Sequence, residues 1–275
     1  MAPIASDINI FGKTFKVIDT EPSLTTSSNN TSNESGLYVS TDTNTGDPTY
    51  YFRGNVENNY VSFAGFTWRI VRINEDGTIR IIMQDGINDN TKYNFNSNYN
   101  NYTYMYYTNS QAKTTLESWY QTNIGSKSDL ANSVAKGDYY CEQAIVKDKG
   151  NSNGNTNMII YSSYTPDFKC SSDGNGKGVV NASVGLLNYD EVVYAGGYYN
   201  QTNSNYYLYN KKNIWTMSPG GLLYSYPYVW CVITTGGIMD YNVLDTRMYR
   251  PVLNLIVNTQ ISSGDGTSEN PFVVE

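Results

Sequence analysis

The chain has 275 residues, of which 16% are charged, with a net charge of −7 and no histidine. That length supports one large domain or two small ones with an ample core. The acidic balance argues against a nucleic-acid partner, which needs a basic footprint, and the missing imidazole excludes Ser-His-Asp and Cys-His catalysis and His-ligated zinc.

Residues 1–35 end in a polar low-complexity run at 27–33 and read as a flexible lead-in or stalk remnant. Met1-Ala2-Pro3-Ile4 lacks the charged and apolar regions of a signal peptide, and no stretch approaches the roughly 18 apolar residues of a membrane helix. The domain is expected over 36–275. Short strands are predicted at 37–39 and 50–53. The clearest hairpin joins Phe66-Thr67-Trp68-Arg69-Ile70-Val71-Arg72-Ile73 to Thr78-Ile79-Arg80-Ile81-Ile82 through Asn74-Glu75-Asp76-Gly77, because Asp-Gly between β-rich runs is a strong turn signal. Trp68 and Ile70 share one face of that strand and Arg69 and Val71 the other, so one side is expected in the core.

Residues 86–112 read as an Asn- and Tyr-rich loop, and Thr114-Thr115-Leu116-Glu117 as a capping box for a short helix through Trp119 and Tyr120. Cys141 and Cys170 flank a polar, Gly-rich stretch. A disulfide between them is expected, leaving Cys231 unpaired, against the alternative that all three are reduced thiols. No Cys-x-x-Cys spacing points to a metal or redox site. The loop at 173–177 places Lys177 where a calcium loop needs an oxygen ligand, so it reads as a plain turn, and no metal or cofactor is expected. Asn188-Tyr189-Asp190-Glu191 is a second capping box, opening a helix that Gly196-Gly197 closes. The C-terminal third is β again, with runs at 214–219, 228–232, 237–239 and 250–257 and a turn at Thr234-Thr235-Gly236.

The fold class expected from these elements is α+β: short antiparallel strands, two short helices and long loops. The carboxylates are scattered, and no GxSxG, P-loop or GxGxxG motif occurs, so the chain is not expected to be an enzyme. Its 27 tyrosines and many asparagines have two readings, an adenine- and thymine-rich genome or a binding surface of stiff aromatic contacts and adaptable amides. The segment 215–250 mixes aromatic, aliphatic and polar residues with little alternation between two regular flanks. Its candidate ligand-binding residues are Tyr224, Tyr226, Tyr228, Trp230, Ile233, Asp240, Tyr241, Asn242, Leu244, Asp245, Arg247, Met248 and Tyr249, against the alternative that Trp230 and the tyrosines pack inward. If they form a binding face they are exposed together, while Trp215, Val229, Val232, Val252 and Leu253 are buried.

Trp215-Thr216-Met217-Ser218-Pro219, Val229, Val232, Gly236 and Arg250-Pro251-Val252-Leu253-Asn254-Leu255 together resemble the C-terminal module of diversity-generating-retroelement variable proteins, which have a C-type lectin fold related to formylglycine-generating enzymes. Val61-Ser62-Phe63-Ala64-Gly65-Phe66-Thr67-Trp68 and Gly264-Asp265-Gly266-Thr267 are similar to surface proteins of Gram-positive gut bacteria. The resemblance covers about 36–275. It implies a C-type lectin fold and a surface-displayed, non-enzymatic ligand-binding protein whose segment 215–250 is diversified at adenines. The partner it implies is a protein or other ligand on another cell, phage or host surface. Met248-Tyr249 departs from the small residue and Val expected before the Arg-Pro flank. The alternative is a fixed-sequence adhesin or pilin-like structural domain. Either function places the chain outside the cell, attached to a membrane only through an anchor segment beyond this sequence.

Overall fold

A computed structural model of the chain describes residues 4–20, 22, 24, 35–142, 165–170, 178–223 and 226–275. The polar runs at 27–33 and 147–157, the loop at 173–177 and Tyr224 lie outside the described residues.

The first half is built on β1 (Asp7–Ile10), β2 (Lys13–Ile18), β3 (Gly36–Ser40), β4 (Thr49–Arg53), β5 (Tyr60–Phe63), β6 (Phe66–Ile73), β7 (Ile79–Met83) and β8 (Lys92–Asn94). The α-helical segments among the described residues are α1 (Ile87–Asn90), α2 (Gln111–Tyr120), α3 (Ser128–Asn132) and α4 (Tyr189–Ala195), and a π-helical turn, Gln121–Gly125, follows α2. The middle of the chain adds β9 (Gly137–Cys141) and β10 (Val179–Ala182). The last third adds β11 (Ile214–Leu223), β12 (Tyr226–Val232), β13 (Ile238–Asn242), β14 (Thr246–Met248), β15 (Val252–Leu255), β16 (Ile261–Ser263) and β17 (Phe272–Val274).

Among the described residues strands hold 39% and helical segments of all types 17%, so the protein is mostly β. This overturns the expected α+β, C-type lectin fold with two short helices. The ten-stranded sheet is a curled half-barrel of mixed direction. Its hub is β6, which pairs along one edge with β7 and along the other with β5 at its start and β4 at its end. Parallel pairs join β2 to β3 and β17 to β5, which local hairpin signals cannot announce. A five-stranded sheet follows the order β13-β12-β11-β14-β8, and β9 and β10 form a separate pair.

The predicted hairpin stands: Asn74 N–H donates to Thr78 O, and Gly77 takes a positive φ. Both of its faces are covered, because Trp68, Arg69, Ile70 and Val71 are all buried. The expectation of a single core side reflected an antiparallel edge, whereas β6 lies in the middle of the sheet with elements packed on each side. Residues 7–18 also depart from the flexible lead-in. They form an antiparallel hairpin that buries Ile10 and Phe15 and extends the large sheet through β3.

Helix α2 starts earlier than predicted. Its N-cap is Ser110, whose side chain accepts from Lys113 N–H, and Thr114 lies inside the helix. Helix α4 has the predicted capping box between Asn188 and Glu191, with Gly196 as C-cap. The loop expected over 86–112 contains β8 and two short 3-10 segments, Tyr102–Met105 and Tyr107–Asn109. The disulfide between Cys141 and Cys170 is present, and Cys231 is a buried free thiol. Gly236 is required by close approach: a Cβ there would meet the carbonyl oxygen of Asn203 at 1.7 Å.

The flanks of segment 215–250 are core, as predicted: Trp215, Val229, Val232, Val252 and Leu253 are buried. Arg250 is buried with them and donates from Nε to Met83 O and from Nη1 to Leu208 O. Burial lowers its pKa to about 10. Thus the Arg-Pro flank clamps β15 to the end of β7 and to the 206–209 turn. No helix among the described residues is long and apolar enough to cross a membrane.

Candidate binding face and its surroundings

The five-stranded sheet carries most of the candidate residues, and its register sorts them. Residues directly opposite in a ladder share a face, and successive residues alternate. Opposite pairs are Tyr228 with Asn242, Val229 with Tyr241, Trp230 with Asp240 and Cys231 with Met239. One face therefore carries Tyr226, Tyr228, Trp230, Asp240 and Asn242. The opposite face carries Tyr241, Cys231 and Trp215, which pairs with Cys231 from β11. The expectation that all candidates converge on one surface is corrected by this alternation.

Exposure divides them again. Tyr226 is 40% exposed and Asp245 is also exposed, while Tyr228, Ile233, Asp240, Tyr241, Asn242 and Leu244 are half-buried. Trp230, Arg247, Met248 and Tyr249 are buried, which contradicts their placement on an exposed face. Trp230 is fully enclosed, with the rings of Tyr189 at 5.1 Å and Tyr199 at 5.9 Å. Tyr189 begins α4, so helix docking covers the inner end of this face. Arg247 lies on the far side. Its guanidinium stands 3.8 Å over the Tyr241 ring and 5.4 Å from Trp215, and its Nε donates to Cys231 Sγ at 3.4 Å. Burial pushes the Cys231 thiol up to about 12, against the pull of Arg247, so the thiol is inert. Tyr249 stacks on Tyr93 at 5.0 Å, and its hydroxyl donates to Asn94 O.

The open end of the face is completed by residues that the sequence reading left in a loop. Tyr99 stacks on Tyr226 at 5.1 Å with a 20° interplanar angle, and Tyr99 is 44% exposed. Tyr102, 55% exposed, and Leu223, 39% exposed, are the other large apolar residues of these segments left in solvent. The 3-10 segment Tyr102–Met105 packs on both β11 and β12. Asn101 caps it by accepting from Thr103 N–H, which fixes the tyrosine-bearing loop against the sheet. The density of Tyr and Asn in 93–109 was the available signal. It gave no indication of which strand the loop covers.

Elsewhere a buried cluster of charged groups has a structural role. Glu191 accepts from Arg80, with Oε1 2.5 Å from Nε and Oε2 3.1 Å from Nη2, and its Oε1 lies 3.4 Å from Arg72 Nε. The same carboxylate accepts the Asn188 N–H of the capping box. Glu191 thus ties α4 to β6 and β7, a role that reading it as a helix cap alone missed. A polar cavity of about 390 Å³ lies over this ion cluster, walled by Tyr139, Tyr140, Phe168 and the disulfide. Among the described residues no three His, Cys, Asp or Glu side chains group as a metal site. Comparison with protein-family models, with curated proteins and with solved structures gives no match. The family resemblance therefore rests on its motifs, and the fold it implies is not the one observed.

Proposed function

We propose that the chain is a non-enzymatic binding protein that acts outside the cell and holds a protein ligand at the tyrosine-bearing end of the five-stranded sheet. The observation that carries this reading is the Tyr99–Tyr226 stack, whose rings are ordered against each other yet 44% and 40% exposed. Exposed, immobilised aromatic rings flanked by amides and carboxylates supply large contact area at low entropic cost. A disulfide belongs to oxidising compartments, which supports a location outside the cytosol. The test is the double variant Tyr99→Ala/Tyr226→Ala, probed on an array of extracellular proteins against the parent. The parent binds at least one spot, and the variant loses it while its Tm falls by less than about 4 °C. Unchanged binding by the variant, or no binding by the parent, refutes the proposal.

A second reading, a fixed-sequence adhesin or pilin-like domain, is favoured by the burial of Trp230, Arg247, Met248 and Tyr249 within the segment expected to vary. Core positions lose about 2–5 kcal/mol on truncation and do not tolerate many residue types. Sequencing the gene from several isolates separates the two. Diversification puts substitutions at Tyr226, Tyr228, Asp240, Asn242 and Asp245 and spares the four buried positions. An invariant segment favours the fixed adhesin.

A further inference from the structure

The polar cavity of about 390 Å³ above the Glu191 ion cluster shares no wall residue with the tyrosine-bearing face. Its volume falls in the range of small-ligand sites. Its floor holds a cation that the protein only partly satisfies. Arg72 and Arg80 share the carboxylate of Glu191, and Arg80 takes the close contacts. Arg72 is left with the 3.4 Å approach to Glu191, a 3.3 Å bond from Nη1 to Thr49 Oγ1 and the Phe168 ring 4.9 Å away. A guanidinium carries five N–H donors, so several remain unused. Burial lowers the group to about 10 although Glu191 and, more weakly, Glu75 attract it, so these carboxylates do not offset its desolvation. Arg72 is also the part of the ion cluster that solvent reaches. Its side chain is 14% exposed, against 1% for Arg80 and for Glu191.

The walls above Arg72 add accessible groups of both signs. Asp76 and Asp138 are exposed. Asp138 accepts from Asn181 through Oδ1, and its Oδ2 has no donor among the described residues. Tyr139 is half-buried, and its hydroxyl donates to Asp76 Oδ2 at 2.9 Å, which fixes the tyrosine in the wall. Lys169 is exposed and brings a second accessible cation. This mixture decides the ligand class. An anion drawn to Arg72 and Lys169 is repelled by Asp76 and Asp138, and a cation meets the reverse. A zwitterion must be stripped of water at two charges. A hydroxyl group is neutral and both accepts and donates, so one hydroxyl accepts from Arg72 while another donates to Asp138. The Tyr139 ring offers apolar surface to the C–H groups of the same ligand. A compact ring with several hydroxyls and an apolar face is a sugar.

We propose that this cavity binds a neutral saccharide of mono- or disaccharide size, with Arg72 donating to its hydroxyls, Asp76 and Asp138 accepting from them and Tyr139 lying against an apolar face. The site is additional to the tyrosine-bearing face and does not depend on it. Arg80 and Glu191 are out of solvent and act as positioning residues. They hold Arg72 at the floor through the shared carboxylate, and the Phe168 ring supports the guanidinium from the side.

The test is an NMR titration of the 15N-labelled protein with three neutral probes: methyl glucoside, methyl galactoside and N-acetylglucosamine. Glucuronate, glucosamine in its ammonium form and serine are the anionic, cationic and zwitterionic controls. At least one neutral sugar shifts the amides of Asn74, Asp138 and Tyr139, and the three controls bind at least tenfold more weakly. Tyr139→Ala weakens that sugar at least tenfold. Asp138→Ala, at an exposed position, weakens it about three- to tenfold with the remaining amide spectrum intact. Tyr99→Ala/Tyr226→Ala binds the sugar as the parent does. The proposal is overturned if no neutral sugar shifts the cavity amides, or if a control binds as tightly. It is also overturned if Asp138→Ala binds like the parent, or if the Tyr99/Tyr226 double variant loses the sugar.

Discussion

Replacing Trp230 with alanine separates core from surface in the segment where the sequence left them confounded. The indole is fully enclosed, in contact distance of two aromatic rings at 5.1 and 5.9 Å, and it faces α4 from β12. Truncating a buried Trp costs about 3–5 kcal/mol, the sum of lost transfer energy and an incompletely collapsed cavity. Whole-domain stability is only about 5–15 kcal/mol. A domain of this size loses about 2–4 °C of Tm per kcal/mol, so Trp230→Ala lowers Tm by about 6–20 °C. Tyr226, four residues earlier on the same face, is 40% exposed and has one ring partner. Tyr226→Ala costs about 1 kcal/mol and shifts Tm by no more than about 4 °C. Differential scanning calorimetry and urea unfolding of both variants provide the measurement. A Trp230→Ala protein that melts within about 2 °C of the parent, with an unchanged m-value, would falsify the assignment of Trp230 to the core.

Glu191→Ala leaves Arg72 and Arg80 buried without their shared carboxylate and is expected to cost about 3–5 kcal/mol in urea unfolding. Glu191→Gln keeps the helix cap and an acceptor and costs less; equal stability of the parent and both variants sinks the hub role. Reducing the Cys141–Cys170 bridge, which spans a sequence separation of 29, lowers stability by about 3–4 kcal/mol. Native protein gives no reactive thiol, unfolded protein gives one, and reduced unfolded protein gives three; a thiol reacting in the native state contradicts the burial of Cys231. Asp240 is a group whose folded pKa is raised, to about 6 from 3.8, so between those values it holds more protons in the native state than in the unfolded one. Its contribution to stability therefore falls as pH rises from about 4 to 6 and levels off above. Asp240→Asn removes this fall and melts at or above the parent temperature at pH 7; a parent–variant difference that does not change over that window counts against the shift.

The sequence by itself determined the features whose cause is local. Asp76-Gly77 between β-rich runs specifies the β6–β7 hairpin. Asn188 and Glu191, three apart, satisfy the first turn of α4. The polar stretch between Cys141 and Cys170 pointed to a loop that burial alone does not hold, and the bridge is there. The regular flanks at Trp215 and Val252 announced core.

Tertiary structure decided what depends on pairing across long sequence separation. The parallel joints of β2 to β3 and β17 to β5, and the three-way pairing of β6, turn local strands into a curled, mostly β architecture instead of the α+β lectin fold. Which candidate residues reach solvent was decided in the same way. A strand shows a period of two, but whether its two faces meet solvent or other elements is set by what docks on them. Tyr189 and Tyr199 arrive from the α4 region to enclose Trp230, and the 97–106 loop arrives to present Tyr99 beside Tyr226. The same tyrosine-rich composition thus supplies core at one end of β12, where Tyr189 of α4 and Tyr199 enclose Trp230, and exposed rings at the other, where the 97–106 loop leaves Tyr99 and Tyr226 in solvent.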